Sequence, residues 1–252
     1  TKFKSKSYHP GNIAIVAAGK VSPEKVFKYA AQKFEGQKKG KALSFASPAV
    51  KQENPRMKVC SSKTKQAHIA MGFHAECDNI RDRFAIKLMN VIFGGNMSSR
   101  LFEELREKRG LCYDISSSYK RHSDVGEVQV HAGVDNRKAF SSVMAILDEL
   151  KKLRDTGVTS DELARAKKYV KGQFLLAIER TSTRMMWLGD RLMVHKDIPE
   201  VKGILNRVDD VTLDETHKVC RRIFSPSSVN LAMIGRMRAN DKNSIKKELG
   251  RI

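Results

Sequence analysis

Ile69, Met71, Phe73 and Ala75 alternate with polar or small residues, a period of two that predicts a strand with one buried face. The period then changes to that of a helix over 80–93, where Phe84, Leu88, Val91 and Ile92 share a stripe that ends at Gly94-Gly95-Asn96. A second amphipathic helix is predicted over 98–109, stopped by Gly110. Alternation returns in two strands over 111–119 and 127–134, joined by the polar turn 122–124. Simple alternation puts Leu111, Tyr113 and Ile115 on one face of the first, and Val128, Val130, Ala132 and Val134 on one face of the second. Helical spacing follows over 137–154, with Phe140, Val143, Leu147 and Leu150 inward. The capping box Thr159-x-x-Glu162 opens a helix running past Phe174, another is predicted over 184–194, and Thr212-x-x-Glu215 opens one ending at Ile223. A strand over 229–234 stops at Gly235, before a basic tail with helical potential. Hairpin-paired strands beside grouped helices predict an α+β fold, a largely antiparallel sheet with helices packed on it.

The start of the chain repeats its end. Tyr8-x-Pro10-x-x-Ile13-x-Ile15-x-x-x-Gly19 matches Phe224-x-Pro226-x-x-Val229-x-Leu231-x-x-x-Gly235, position for position. Both read as an irregular entry fixed by proline, an inward-facing strand, and a glycine exit. After Gly19 comes Ser22-Pro23-Glu24, an N-cap, a proline at the first helical position and an early acid. The helix they open places Phe27, Ala30, Ala31 and Phe34 on one stripe. If the later segment ends one domain, the earlier one is expected to end another, mostly absent from this sequence. The first residue is Thr1 rather than methionine, in keeping with that expectation. The organisation expected is a terminal strand and helix of a truncated first domain at 1–38, a Lys/Gly/Ser/Pro-rich linker at 39–56, and a complete domain at 57–252, with the strand at 13–18 left without its own sheet.

Hydrophobic residues at 40% and charged residues at 30% of 252 fit a folded soluble chain. The longest apolar run, 13–18, is far short of the ~20 residues of a membrane-spanning helix. Cys60, Cys77, Cys112 and Cys220 form no C-x-x-C pair, so they are expected to be reduced thiols of a cytoplasmic protein. Lys and Arg outnumber Asp and Glu by 48 to 28, a formal charge of +20. The basic residues are spread over many elements without an aromatic-interleaved motif, so a solvated surface is expected rather than a nucleic-acid site. Of the seven histidines, His68 and His74 share a strand face but stand roughly 20 Å apart, too far for one ion. His131 could approach one of them, but a pair lacks the further ligands zinc requires, and no metal site is expected in this chain.

The run from Phe93 to Tyr113, FGGNMSSRLFEELREKRGLCY, resembles the second-half signature of the insulinase/pitrilysin-like zinc peptidases. It is most similar to the bacterial processing-protease-like branch, related to the mitochondrial processing peptidase. The likeness continues through GVTSDELARAK at 157–167 and covers nearly everything from Tyr8 to Gly235. It implies two similar α+β halves joined by a linker, this chain being the second. The first half of such proteins carries H-x-x-E-H, whose histidines hold zinc while the glutamate activates water. That motif occurs nowhere here, so zinc is expected in the other half and no peptidase activity in this chain alone.

The resemblance further implies that Arg106 and Tyr113 bind substrate, both donating to a peptide carbonyl, and that Gly94, Gly95 and Asn96 form a loop near the cavity between halves. The residues themselves also permit a structural reading: Arg106 pairing with Glu103 or favouring the helix C-terminus, and Tyr113 lying in the core. The partners implied are a peptide substrate and a zinc-bearing N-terminal half or partner subunit, with a homo-oligomer possible. The function expected is the substrate-binding half of a processing metalloendopeptidase. A non-catalytic scaffold subunit of the same family is the alternative, and a basic nucleic-acid- or membrane-binding module a more distant one. The charge of +20 disfavours basic presequences as substrates.

Overall fold

A computed structural model describes residues 2–38, 40, 43, 51–75, 80–122, 125–195 and 198–252. Most of the expected linker at 39–56 lies outside them, as do Cys77 and the turn residues Ser123 and Asp124. Helices α1 (Lys2–Ser7) and α2 (Pro23–Phe34) come first, then strands β1 (Arg56–Cys60) and β2 (Gln66–His74) and helix α3 (Ile80–Phe93). A π-helical segment, Phe102–Lys108, precedes β3 (Cys112–Arg121) and β4 (Gly126–Asp135). The remainder is α4 (Ala139–Thr156), α5 (Ser160–Glu179), α6 (Thr181–His195), α7 (Val201–Asp209), α8 (Leu213–Ile223), β5 (Val229–Ile234) and α9 (Ala239–Leu249). The described residues group into two compact units, 1–48 with 171–204 and 49–170 with 205–252.

The larger unit is built on a five-stranded sheet ordered β1-β5-β2-β4-β3. Only β1 with β5 is parallel, so the expected α+β fold with a largely antiparallel sheet is what forms. Its core is the alternating set read from the sequence: Ile69, Met71 and Phe73 on β2, and Val128, Val130, Ala132 and Val134 on β4, all buried. Leu88 of α3 and Val143, Leu147 and Leu150 of α4 close over this face. Phe224 stacks edge-on to Phe73 at 5.1 Å between ring centres, joining the end of α8 to the sheet. Both capping boxes form: Thr159 N–H donates to Glu162 Oε2 at 2.8 Å, and Thr212 N–H donates to Glu215 Oε2 at 2.9 Å. The opposite sheet face is open, carrying Arg56, Lys58, His68, Gln129 and His131.

The smaller unit departs from the sequence reading. Residues 13–18 form no strand; Ile13 is extended (φ −124°, ψ 134°), yet among the described residues no strand pairs with this segment. No residue of α2 is buried, and Phe27 of the predicted inward stripe is 75% exposed. Trp187 packs edge-on to Phe174 at 5.9 Å and is half-buried, while its neighbour Met186 faces solvent. Three elements were not anticipated: α1, α7 and β1. Each is short or polar in pattern, and β1 alternates Met57 and Val59 over too few residues to stand out from a basic background.

Candidate functional site

The chain from Asn90 to Tyr113 is held at several points, and those points determine what is left free. At the end of α3 the amide N–H groups of Gly94 and Gly95 both donate to the Asn90 carbonyl, at 3.0 and 2.9 Å. Gly94 C=O accepts from Ser117 N–H of β3 at 2.8 Å. A Cβ on Gly94 would lie 2.7 Å from Ser117 Oγ, and one on Gly95 2.9 Å from Val91 Cα. Gly94 therefore lets the end of α3 lie directly on the sheet's edge strand, and Gly95 lets the chain fold back closely over the last turn of α3. Asn96 Oδ1 accepts from Ser98 N–H at 2.8 Å, and Asn96 C=O accepts from Ser99 Oγ at 2.6 Å, fixing the turn into the next helix.

Arg100 anchors that helix. Its guanidinium donates to both Glu162 oxygens at 2.7 Å and to Gly157 C=O at 2.9 Å. Burial alone would raise the Glu162 carboxyl pKa; the Arg100 guanidinium and the Thr159 N–H reverse this and hold it below the ordinary carboxylate value. Nothing in the sequence pattern pairs Arg100 with Glu162, although the capping role of Glu162 is readable. Leu101 and Leu105 are fully buried, so the helix has one face in the core.

The helix widens over Phe102–Lys108, with Arg109 N–H reaching back to Glu104 C=O at 3.2 Å. Glu104 then takes both neighbouring cations, Lys108 at 3.3 Å and Arg109 at 2.8 Å. Arg106 does not pair with Glu103 as the structural reading supposed. It pairs with Glu107 at a loose 3.8 Å, with neither side chain buried, and its guanidinium lies 4.7 Å from the Phe102 ring centre. It is the least committed of the three cations at this end. Gly110, at φ +55°, makes the reversal, and Leu111 N–H donates to Leu105 C=O at 2.7 Å to close it.

Tyr113 is where alternation misleads. Cys112 pairs with Val134 and Asp114 with the preceding Gly133, so β3 carries one extra residue at Tyr113. The bulge turns Cys112 and Ile115 inward and leaves Tyr113 and Asp114 outside; Tyr113 is 78% exposed. Placing Leu111, Tyr113 and Ile115 on one face is therefore corrected, as is the core reading of Tyr113: a one-residue bulge moves a side chain to the other face. Burial pushes the Cys112 thiol up to about 11, against an opposing pull from the Arg106 guanidinium. Arg106 and Tyr113 lie on either side of the turn at Gly110, and both are exposed.

His68 and His131 lie side by side, ring centres 6.1 Å apart, but among the described residues no three His, Cys, Asp or Glu side chains converge. Cys60, Cys112 and Cys220 are free thiols, and burial raises Cys220 to about 12. No helix among the described residues is long and apolar enough to cross a membrane.

Residues 1–170 match the model of the family described as the peptidase M16 inactive domain. An uncharacterized zinc protease of Streptomyces coelicolor is 31% identical over 240 residues, covering 93% of this chain and 52% of that protein. One from Bacillus subtilis, also called an uncharacterized zinc protease, is 29% identical over 223 residues, 86% of this chain and 53% of the relative. The chain spans about half the length of the curated relatives it matches. The crystal structure of a peptidase M16 inactive domain from Pseudomonas fluorescens superposes with a TM-score of 0.82 over 94% of this chain and 57% of that one, at 21% identity, a likeness of fold.

Proposed function

We propose that this chain, which belongs to the peptidase M16 family through its inactive domain, is the substrate-binding half of a zinc endopeptidase that processes peptides or proteins. The observation that carries the reading is the bulge at Tyr113, which lifts a phenol out of the core, across the Gly110 turn from a weakly paired Arg106. A guanidinium and a phenol on one turn are both donors, and neither needs to be stripped from a strong partner. They suit a peptide carbonyl, whose oxygen gains negative charge as its carbon is attacked. Preorganised donors of this kind act by stabilising that charge, and their removal costs about 10²–10³ in rate at well-studied sites. Zinc, when bound in a partner half carrying the H-x-x-E-H motif, would activate the attacking water. The parts supplied here are carbonyl binding and substrate orientation, with the whole protein working in the cytoplasm.

In the protein assembled with its zinc-bearing half, Arg106→Ala and Tyr113→Phe are each expected to lower turnover more than tenfold. Circular dichroism and melting should be unchanged, since neither side chain is buried. Wild-type turnover in both variants would remove the substrate-binding role.

A further inference from the structure

One register row crosses four strands at the end of the sheet where Tyr113 stands. Ile234 of β5 pairs with His68 of β2, His68 with Gly133 of β4, and Gly133 with Asp114 of β3, the residue after the bulge. The connections at this end are basic: Lys63 and Lys65 between β1 and β2, Arg137 and Lys138 after β4, and Arg236 and Arg238 after β5. Asn136 ties all three connections together. Its side-chain amide donates to Thr64 C=O at 2.9 Å and Lys65 C=O at 3.2 Å, and its Oδ1 accepts from Arg236 N–H at 2.7 Å. Lys138 Nζ donates to Gly110 C=O at 2.8 Å, which fastens the same end of the sheet to the turn between Arg106 and Tyr113.

These contacts frame a cavity of about 580 Å³, lined in part by Ser61, Phe140, Ser141, Arg236, Met237 and Arg238. Phe140 and Met237 pack on the core and give the cavity an apolar part. Its cations are unequally occupied. Arg137, also in the lining, donates to both Asp135 oxygens at 3.2 and 2.9 Å. Arg236 and Arg238 are exposed, and among the described residues neither pairs with a carboxylate. Two guanidinium groups two residues apart on a concave surface raise the local potential, and each offers a fork of donors suited to a carboxylate.

We propose that this cavity receives an acidic side chain of the peptide substrate, and that Arg236 and Arg238 select peptides with Asp or Glu four or five residues from the carbonyl held by Arg106 and Tyr113. The spacing follows from the register row. From β5 to β3 there are three strand steps of about 4.8 Å, roughly 14 Å, which extended chain covers in four or five residues at about 3.3 Å each. The selected class rests on the proposed function above; the cavity and its unpaired cations do not. A nucleic acid is the poorer occupant, because Asp114 and Asp241 interrupt the basic row and would face a continuous phosphate backbone. Phe140, the aromatic side chain in the lining, is packed on the core rather than offered to a base.

The test measures binding to the full chain and turnover by the protein assembled with its zinc-bearing half. By fluorescence anisotropy, a labelled decapeptide carrying two adjacent glutamates should bind about tenfold more tightly than its glutamine counterpart, the effect of one hydrogen bond to a charged group. Arg236→Ala with Arg238→Ala should bring the two peptides within about twofold. Arg165→Ala with Lys168→Ala, which removes the same charge from exposed positions on α5, should leave the preference standing. Equal binding of both peptides to wild type, an equal loss in the α5 variant, or tighter binding of a single-stranded oligonucleotide of the same length would each overturn the proposal. In turnover, a single Glu moved along the peptide should be preferred over Gln only four or five residues from the cleaved bond, and preference at another distance would overturn the spacing. Loss of the preference in the Arg236/Arg238 variant, with wild-type turnover in Arg106→Ala and Tyr113→Phe, would leave the cavity intact and remove the functional reading. The opposite pattern would remove only the cavity. Absence of turnover of every peptide would remove the spacing together with the functional reading and leave the cavity decided by binding.

Discussion

Residues 13–18 and Val229–Ile234 follow nearly the same local instructions and reach different ends. Each is preceded by a helix end and a proline-containing turn, and each is followed by a glycine in the positive-φ region and then a helix. One is the second strand of a five-stranded sheet; the other is extended chain beside an apolar hollow. Local sequence prepares a strand by setting φ, ψ and the spacing of apolar side chains, but a strand is completed by its neighbours' N–H and C=O groups. The difference lies wholly in what is available to pair with.

The contrast can be broken most severely at Leu231. Leu231→Ala should destabilise the larger unit by about 2–5 kcal/mol, because the site is closed on every side and the cavity left behind adds to the lost transfer energy. The same truncation at Ile15, already half in water, should cost under about 1 kcal/mol in the isolated chain. Exchange protection of β2 and β4 amides reads the first, and fluorescence of the single tryptophan, Trp187, reads the smaller unit. Equal losses at both positions would mean that 13–18 is already packed as a strand.

Away from both copies, Arg100→Ala should cost the larger unit about 1.5–3 kcal/mol, the range for hydrogen bonds to a charged group. Its pH signature follows from the depressed Glu162 pKa. The pair's contribution is complete above the unfolded carboxylate value of about 4.3 and is lost as pH falls through the lower folded value. Wild type should therefore lose stability between about pH 5 and 3 more steeply than Arg100→Ala in urea melts.

The glycine exits sharpen the comparison more finely. A Cβ at Gly235 would meet Ala67 Cβ at 2.7 Å and Asn136 Oδ1 at 2.9 Å in addition to the unfavourable φ, whereas at Gly19 only the Thr181 methyl lies within 4 Å, at 3.8 Å. Gly19→Ala is expected to cost about 1 kcal/mol, the backbone conformation alone, and Gly235→Ala about 1–3 kcal/mol, measured by thermal melts of each unit. A Gly19→Ala penalty as large as that at Gly235 would place unseen packing around the first copy.

Much of the fold was legible. The period-two and period-3.6 patterns located β2, β4 and α3 to within a few residues, and the capping boxes located the starts of α5 and α8, because those signals are local and repeated. The site was legible only as residue types in order. Arg106 and Tyr113 could be nominated, but the bulge depends on how β3 registers against β4, where Gly133 faces Asp114 with no residue left opposite Tyr113. Nor does local pattern reveal that Glu104 engages Lys108 and Arg109 and leaves Arg106 weakly held, since a widened helix changes which side chains meet.

The sequence by itself determined the α+β class, the order of the larger unit's main elements, the absence of an H-x-x-E-H motif, and the existence of two copies of one strand-forming device. Each of these is carried by residues close together in the chain or by a motif that can be counted. Tertiary structure decided the rest: that Tyr113 points outward, that Arg100 clamps Glu162, and that only one copy of the device becomes a strand. The physical reason is common to all three. A bulge, a bidentate ion pair and a β-ladder are each made between segments distant in sequence, and their geometry exists only once both sides are in place.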